Sequence, residues 1–359
     1  MVRLFFWINI LSMVSLSTLR AQPNALNAFW EKKLGGGVNL SLFEQYWHKS
    51  NDILQEDITS QLKNISKAGF STLRLPVAFD LFLQPNSSNL QPELLNKLSA
   101  IFEQCNHFHL NLILTYHYGK LTDSNIPGET DRISWIWKQI QNHFRGKGYG
   151  SLFFELYNEP TLSPDQWAKT AVTLVSYLRY EDDQRVYIIG GTNYNNIDEL
   201  KNLPPIDDKK LLYTFHFYDP YIFTHQGASW TIDKTYITGL PYPYQKSKMP
   251  AKPKKTKGTS VERDYDKYPF EATKAYLSER IKSIADYCEA HNMPLICTET
   301  GVIDEAKLKY RKQYLADITS ILHMNSIATV LWDYDQNFSI KKNETSVLKC
   351  LRKWLKTLR

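Results

Sequence analysis

A (β/α)8 barrel of the α/β class is the fold this sequence predicts, and three observations predict it. Eight short apolar runs rich in Val, Ile, Leu, Phe and Tyr recur along the chain. Most of them lack in-out alternation, as strands buried on both faces should. Amphipathic segments of helical period separate most of the runs, the rhythm of a parallel sheet wrapped in helices. Polar residues close the runs at their C-terminal ends, where barrels of this kind carry their chemistry. A doubly wound open sheet is the alternative. It usually has fewer strands and a Gly-rich first turn, and Gly35-Gly36-Gly37 lacks G-x-G-x-x-G spacing before a helix. The 359 residues suit one barrel with a sizeable core.

The chain opens MVRLFFWINILSMVSLSTLRAQPN, with one early Arg, an apolar run from Leu4 to Leu19, no acidic residue before Glu31 and a small residue at Ala21. Residues 1–21 read as a secretory signal peptide, the apolar run being short for a membrane span. The expected location is therefore secreted or periplasmic, with 22–359 as a single barrel domain.

The strand-like runs, in order, are Gly35–Ser41, Ser71–Val77, Leu110–His117, Leu152–Glu159, Arg185–Gly191, Leu211–Tyr218, Pro294–Gly301 and Ser326–Asp333. Helical patterns fall near 52–67, 93–107, 131–145, 165–179, 271–289, 308–323 and 344–357, with a weak one at 196–202. Residues 219–270 break the rhythm as a long loop between the sixth strand and the sixth barrel helix. The loop holds Pro241, Pro243, Pro250 and Pro253, and six lysines from Lys246 to Lys257 without an acidic residue. It reads as a solvated, flexible excursion on the C-terminal face.

The net charge of +6 is too mild to argue for nucleic acid, and no later stretch reads as a membrane span. Export permits disulfides, and Cys105, Cys288, Cys297 and Cys350 allow three pairings. Each also sits in an apolar-periodic segment, as a small buried side chain would. No C-x2-C pair suggests zinc.

The strand ends bring Asn39, Arg74, His117, Asn158, Glu159, His216, Tyr218, Glu299 and Trp332 toward one face. Glu159 and Glu299 close the fourth and seventh runs, roughly across the barrel mouth. Two carboxyl groups about 5–5.5 Å apart suit glycoside hydrolysis by double displacement, one as nucleophile and one as acid/base. Like charges that close cannot both ionise cheaply, so one keeps its proton.

The run LYNEP, the Glu of ICTETG, the Arg of RLPV, the HFY triplet and the Trp of VLWDYD together resemble glycoside hydrolase family 5, from Gly37 to Trp332. FTHQGASW, Phe223 to Trp230, is similar to a segment of some bacterial endoglucanases of that family. The resemblance implies Glu159 as acid/base, Glu299 as nucleophile, Asn158 on the sugar 2-hydroxyl and Arg74 beside Glu299. It also implies Tyr218 hydrogen-bonded to the nucleophile, His216 orienting the acid/base region, His117 as the strand-three histidine, and Trp332 under the sugar before a cis peptide. The strand-three pattern departs from the family, since Thr115 and Tyr118 stand where an Asp and a second His are usual.

Aromatics make up 13% of the chain, with 9 Trp, 22 Tyr and 17 Phe. Sugar rings pack their C–H faces on such side chains. Trp332, then Trp230, Tyr118 or Tyr221, are candidates for a sugar-binding row, and Trp30 and Trp47 fit either core or cleft. Trp135 and Trp137 read as helix packing, and His107 and His109 as a helix-end surface pair. The expected activity is endo-β-1,4-glucanase, with β-mannan, xyloglucan and mixed-linkage glucan as other substrates. The partner is a β-linked polysaccharide, the protein a monomer, and no cofactor, metal, nucleic acid or membrane partner is expected. Other classes are an inactive polysaccharide-binding barrel, and a metal hydrolase using His117, His216 and a carboxylate.

Overall fold

The computed structural model describes residues 25–231 and 237–358. The expected signal segment 1–21 lies outside them. The strands are β1 (Gly36–Asn39), β2 (Thr72–Val77), β3 (Asn111–Tyr116), β4 (Leu152–Glu155), β5 (Tyr187–Gly190), β6 (Leu211–Phe217), β7 (Leu295–Thr300) and β8 (Ala328–Leu331). They pair in parallel and in sequence order, and β1 meets β8 to close the barrel. Every strand falls inside an expected run, and all but β2, which ends at Val77 as expected, stop earlier. The fourth ends at Glu155 rather than Glu159, so Asn158 and Glu159 stand in the loop above the barrel.

Two apolar layers hold the barrel. Inside it, Ile113, Phe153, Ile188, Leu212, Ile296 and Val330 pack beneath the polar end. The N-terminal helix Ala25–Leu34 plugs this floor with Trp30 and Leu34, which assigns Trp30 to packing. Outside, a larger cluster lies between the strands and the surrounding helices. The helix expected at 52–67 is two pieces, Ser50–Gln55 and Thr59–Ala68. Asp57 accepts from Thr59 N and Oγ1 at 2.9 and 2.5 Å, restarting the helix after the break. The helices Pro92–His107, Ile126–His143, Pro164–Glu181, Lys274–Ala290, Leu308–Met324 and Glu344–Thr357 fill the other expected positions.

The 219–270 region corrects the expectation of a flexible excursion. It contains a 12-residue helix, Ser260–Glu271, and buries Leu240, Tyr242, Val261 and Tyr268. Tyr242 packs on Phe223 and Tyr314, and Tyr268 donates to Pro241 O at 2.8 Å. Its six lysines are exposed, while its apolar residues anchor it. The loop start, not the lysines, reaches the barrel mouth. Cys105, Cys288 and Cys297 are buried free thiols, and Cys350 is half-buried and also free. Among the described residues no helix is long and apolar enough to cross a membrane.

Candidate active site

The barrel interior turns from apolar to charged as it rises, and Arg74 on β2 is where it turns. Arg74 is fully buried, and a buried guanidinium must have partners for each donor. Nε and Nη2 grip Glu155 on β4 at 2.6 and 2.9 Å. Nη1 donates to Glu299 Oε1 on β7 at 2.7 Å and to Asn39 Oδ1 on β1 at 2.8 Å. Nη2 also reaches Asn158 Oδ1 at 2.7 Å. Burial opposes the charge on Arg74, but Glu155 and Glu299 together outweigh it and hold the guanidinium above its ordinary range. Asn39 is fixed in turn by donating to Thr298 O and Leu331 O.

Glu299 keeps its second oxygen for Tyr218, whose hydroxyl donates to Oε2 at 3.0 Å. Burial raises its pKa, while His216 and Arg74 lower it and the charge of Glu159 raises it further. His216 itself is pushed down to about 4, chiefly by burial, so it is neutral near pH 7. At that pH Arg74 is the charge that favours ionised Glu299.

Glu159 sits across from it with a left-handed backbone, φ 49°. Its side chain is 32% exposed into the cleft, and Oε1 lies 2.8 Å from His216 Nδ1. Desolvation raises it to about 7, Arg74 lowers it, and Glu155 raises it. One oxygen of Glu159, one of Glu299 and a nitrogen of His216 all lie within 4.8 Å of one another. That trio could gather around a metal ion, a different set from the one weighed in the sequence. Arg74 touches Glu299 at 2.7 Å, so a cation held by the trio would face its positive charge.

These groups floor a cleft of about 910 Å³. Trp332 follows β8, its peptide to Asp333 is cis, and its ring stacks on His117 at 5.9 Å and 8°. Gly301 lets Trp332 come this close, since a Cβ there would lie 2.1 Å from Trp332 O. His117 Nδ1 is buried and lacks a hydrogen-bond partner among the described residues. Trp230 lines the far edge, 51% exposed, with Phe338 6.3 Å away. Tyr46, Trp47 and Tyr118 form an edge-to-face group at the other end, with centroids 5.3 and 5.2 Å apart. Tyr221 stacks on His225 at 3.9 Å within the cleft wall.

Asn39, Arg74, Asn158, Tyr218 and Glu299 thus share one hydrogen-bonded network, and the Glu159–His216 pair adjoins it through a 3.4 Å contact of His216 Nδ1 with Glu299 Oε2. His117 and Trp332 stack beside it, and Trp230 stands apart from it. Sequence reasoning missed Glu155, Glu44, Asn195 and Phe338. Glu155 carried a usable signal, because a lone carboxylate in an apolar strand two strands from a lone Arg implies a buried pair. Glu44 is buried in the loop after β1, accepts from Ser41 Oγ, and is pushed up to about 7 mainly by burial. Asp333 is pushed up to about 8, also by burial. Trp135 is half-exposed on its helix and Trp137 is buried behind the barrel.

The model of the family described as cellulase (glycosyl hydrolase family 5) matches residues 32–338. Endoglucanase C of Acetivibrio thermocellus is 30% identical over 313 residues, which cover 83% of this chain and 90% of that protein. Among solved structures, the endoglucanase Cel5A of Thermotoga maritima superposes with a TM-score of 0.76 at 20% identity, covering 90% of this chain and 99% of that one. The same Thermotoga maritima enzyme in complex with mannotriose superposes with a TM-score of 0.74 at 20% identity, covering 92% and 100%.

Proposed function

The chain belongs to glycoside hydrolase family 5, and from that premise we propose that it is an endo-β-1,4-glucanase working by double displacement, with Glu299 as nucleophile and Glu159 as acid/base. The observation that carries this reading is the closeness of the two carboxyl groups, with oxygens within 4.8 Å, together with their different partners, Arg74 and Tyr218 on Glu299 and His216 on Glu159. Inverting enzymes need about 6.5–9.5 Å to fit a water between the pair. Burial raises both carboxyl groups and Arg74 lowers both, but only Glu299 is held by the guanidinium directly, at 2.7 Å.

In the first step Glu299 attacks the anomeric carbon while Glu159 gives its proton to the glycosidic oxygen. The C–O bond to the leaving sugar breaks and a glycosyl ester forms on Glu299. In the second step water attacks that carbon, Glu159 takes the water's proton, and the ester bond breaks. The product keeps its β configuration, and both carboxyl groups return to their starting states. Asn158 gives its Oδ1 to Arg74, which leaves its amide nitrogen for the sugar 2-hydroxyl. The unpartnered Nδ1 of His117 suits another hydroxyl, and Trp332 offers a ring face to the sugar. Residues 1–21 would direct export, which brings the enzyme to an extracellular or periplasmic polymer.

The test is turnover of soluble cellulose, lichenan, glucomannan and mannan, with product sizing and the first-formed anomer read by NMR. A rapid fall in viscosity, short β-1,4-glucan products and a β anomer are expected. An α anomer first would overturn the mechanism, and binding without turnover on every polymer would favour an inactive binding barrel. β-Mannan is the second substrate reading, because a structural neighbour was solved with mannotriose.

A further inference from the structure

The segment after β5 has a backbone that its sequence would not choose. Asn193, Tyr194 and Asn195 take φ values of 51°, 64° and 53°, three left-handed residues in a row without a glycine. Left-handed backbone is sterically costly for a residue with a side chain, and of these two residue types only Asn is enriched there. The turn is held by the loop that carries Glu159. Tyr194 N donates to Pro160 O at 3.3 Å, and Thr192 Oγ1 donates to Pro160 O and Leu162 O. Strain kept at a cleft points to a side chain that must be placed.

That side chain is Asn195. It is fully buried, and its Nδ2 lies 3.2 Å from His216 Nε2. Gly190 makes the room, since a Cβ there would sit 2.4 Å from Asn195 Oδ1. The oxygen has no hydrogen-bond partner among the described residues. The other ring nitrogen of His216 faces Glu159 at 2.8 Å. A neutral imidazole has one donor and one acceptor, so its two ends cannot be set independently. With Nδ2 donating to Nε2, Nδ1 carries the hydrogen and suits a Glu159 carboxylate. With the amide turned over, Nε2–H donates to Oδ1 and Nδ1 accepts from a protonated Glu159.

We propose that Asn195 is a positioning residue for the acid/base, seated by the left-handed turn so that its amide can follow the proton on Glu159 through the two nitrogens of His216. This rests on the assignment of Glu159 above. The charged groups facing the pair are Arg74 from β2, Glu155 from β4 and Glu299 from β7. His117 lies beside His216, and Tyr118, Tyr218 and Tyr221 lie near the carboxyl groups.

The experiment is the pH profile of kcat/KM for Asn195→Asp, with melting temperature recorded. A carboxylate can only accept, so it holds Nε2–H and leaves Nδ1 able only to accept, which favours protonated Glu159. The alkaline limb should move up by about one pH unit. Asn195→Leu gives a second reading that is independent of the amount of folded enzyme. The ratio of turnover on poor to activated leaving groups should fall about tenfold. An alkaline limb that stays in place in a folded Asn195→Asp enzyme overturns the proposal, as does an unchanged leaving-group ratio in Asn195→Leu. Glu159→Ala, run in parallel, separates the two failures. If it does not spare activated aryl glycosides, the acid/base assignment itself is wrong.

Discussion

Two sets of buried carboxyl groups meet at this cleft, and they differ in whether a cation accompanies them. Glu155 and Glu299 touch Arg74 at 2.6 and 2.7 Å and share a guanidinium whose five donors all find acceptors. Glu44 and Asp333 are equally buried, but no salt bridge to them is found among the described residues, and burial raises them to about 7 and about 8. Desolvation raises Glu299 as it raises Glu44 and Asp333. What the difference teaches is that burial with no touching cation pushes Glu44 and Asp333 far up, whereas the guanidinium in contact with Glu299 partly offsets the burial that raises it. Glu159 stands between the two cases. It is close enough to Arg74 to feel it, yet desolvation dominates and raises it to about 7.

The largest effect should come from removing the anion on the Arg74 side. Glu299→Gln should lower kcat by about four orders of magnitude while the melting temperature stays close to wild type. Azide should rescue a Glu299→Gly enzyme and release a glycosyl azide of inverted configuration. A Glu299→Gln enzyme with near-normal turnover in a steady-state assay would remove it from the mechanism.

Next comes the intermediate case. Glu159→Ala should lose about 10²–10⁴-fold on natural glycans and much less on activated aryl glycosides, whose leaving groups need little acid help. Glu159 must be protonated for the first step, so kcat/KM of the wild type should fall as pH rises through about 7. A profile flat to pH 9 would contradict that assignment.

Arg74→Lys tests the cation itself. Lysine keeps the charge but lacks the planar fork, and it cannot serve Glu155, Glu299, Asn39 and Asn158 at once. Both activity and stability should drop, with a loss of about 3–5 kcal/mol in chemical denaturation if Glu155 is left unpaired. Arg74→Lys with wild-type stability would mean that water or another group replaces the fork.

How much of this was legible in the sequence depends on where each residue's partner lies. The eight strands could be read because burial on both faces imprints apolar runs, and eight of the nine site residues could be read because polarity interrupts or follows those runs, Trp332 being the apolar exception. Glu155 was passed over as part of its strand although Arg74 implied a partner. Glu44 and Asn195 were invisible. They sit in loops, and their burial follows from neighbours far away in the chain, Asp333 beside one and His216 beside the other. The helix Ser260–Glu271 was obscured by the lysines before it, because charge density read along the chain does not show that Tyr242 and Tyr268 point inward.

The smallest effect belongs to the set without a cation, and it appears in stability rather than turnover. Asp333 accepts from Gln336 N at 2.8 Å, a bond that slightly favours its charge, but burial wins. An ordinary aspartate in the unfolded chain ionises near 3.8, whereas the folded one holds its proton to about 8. The unfolded state therefore releases its proton first as pH rises. The stability of the native chain should be greatest below pH 4 as far as this group is concerned, and should decline between about 4 and 8. Asp333→Asn cannot ionise in either state and loses no such increment. Relative to wild type it should gain on the order of 1–3 kcal/mol between those limits, read as a widening difference in melting temperature. A constant difference across that range would mean that Asp333 is ionised in the fold, and the contrast with the Arg74 set would then have to rest on Glu44 alone.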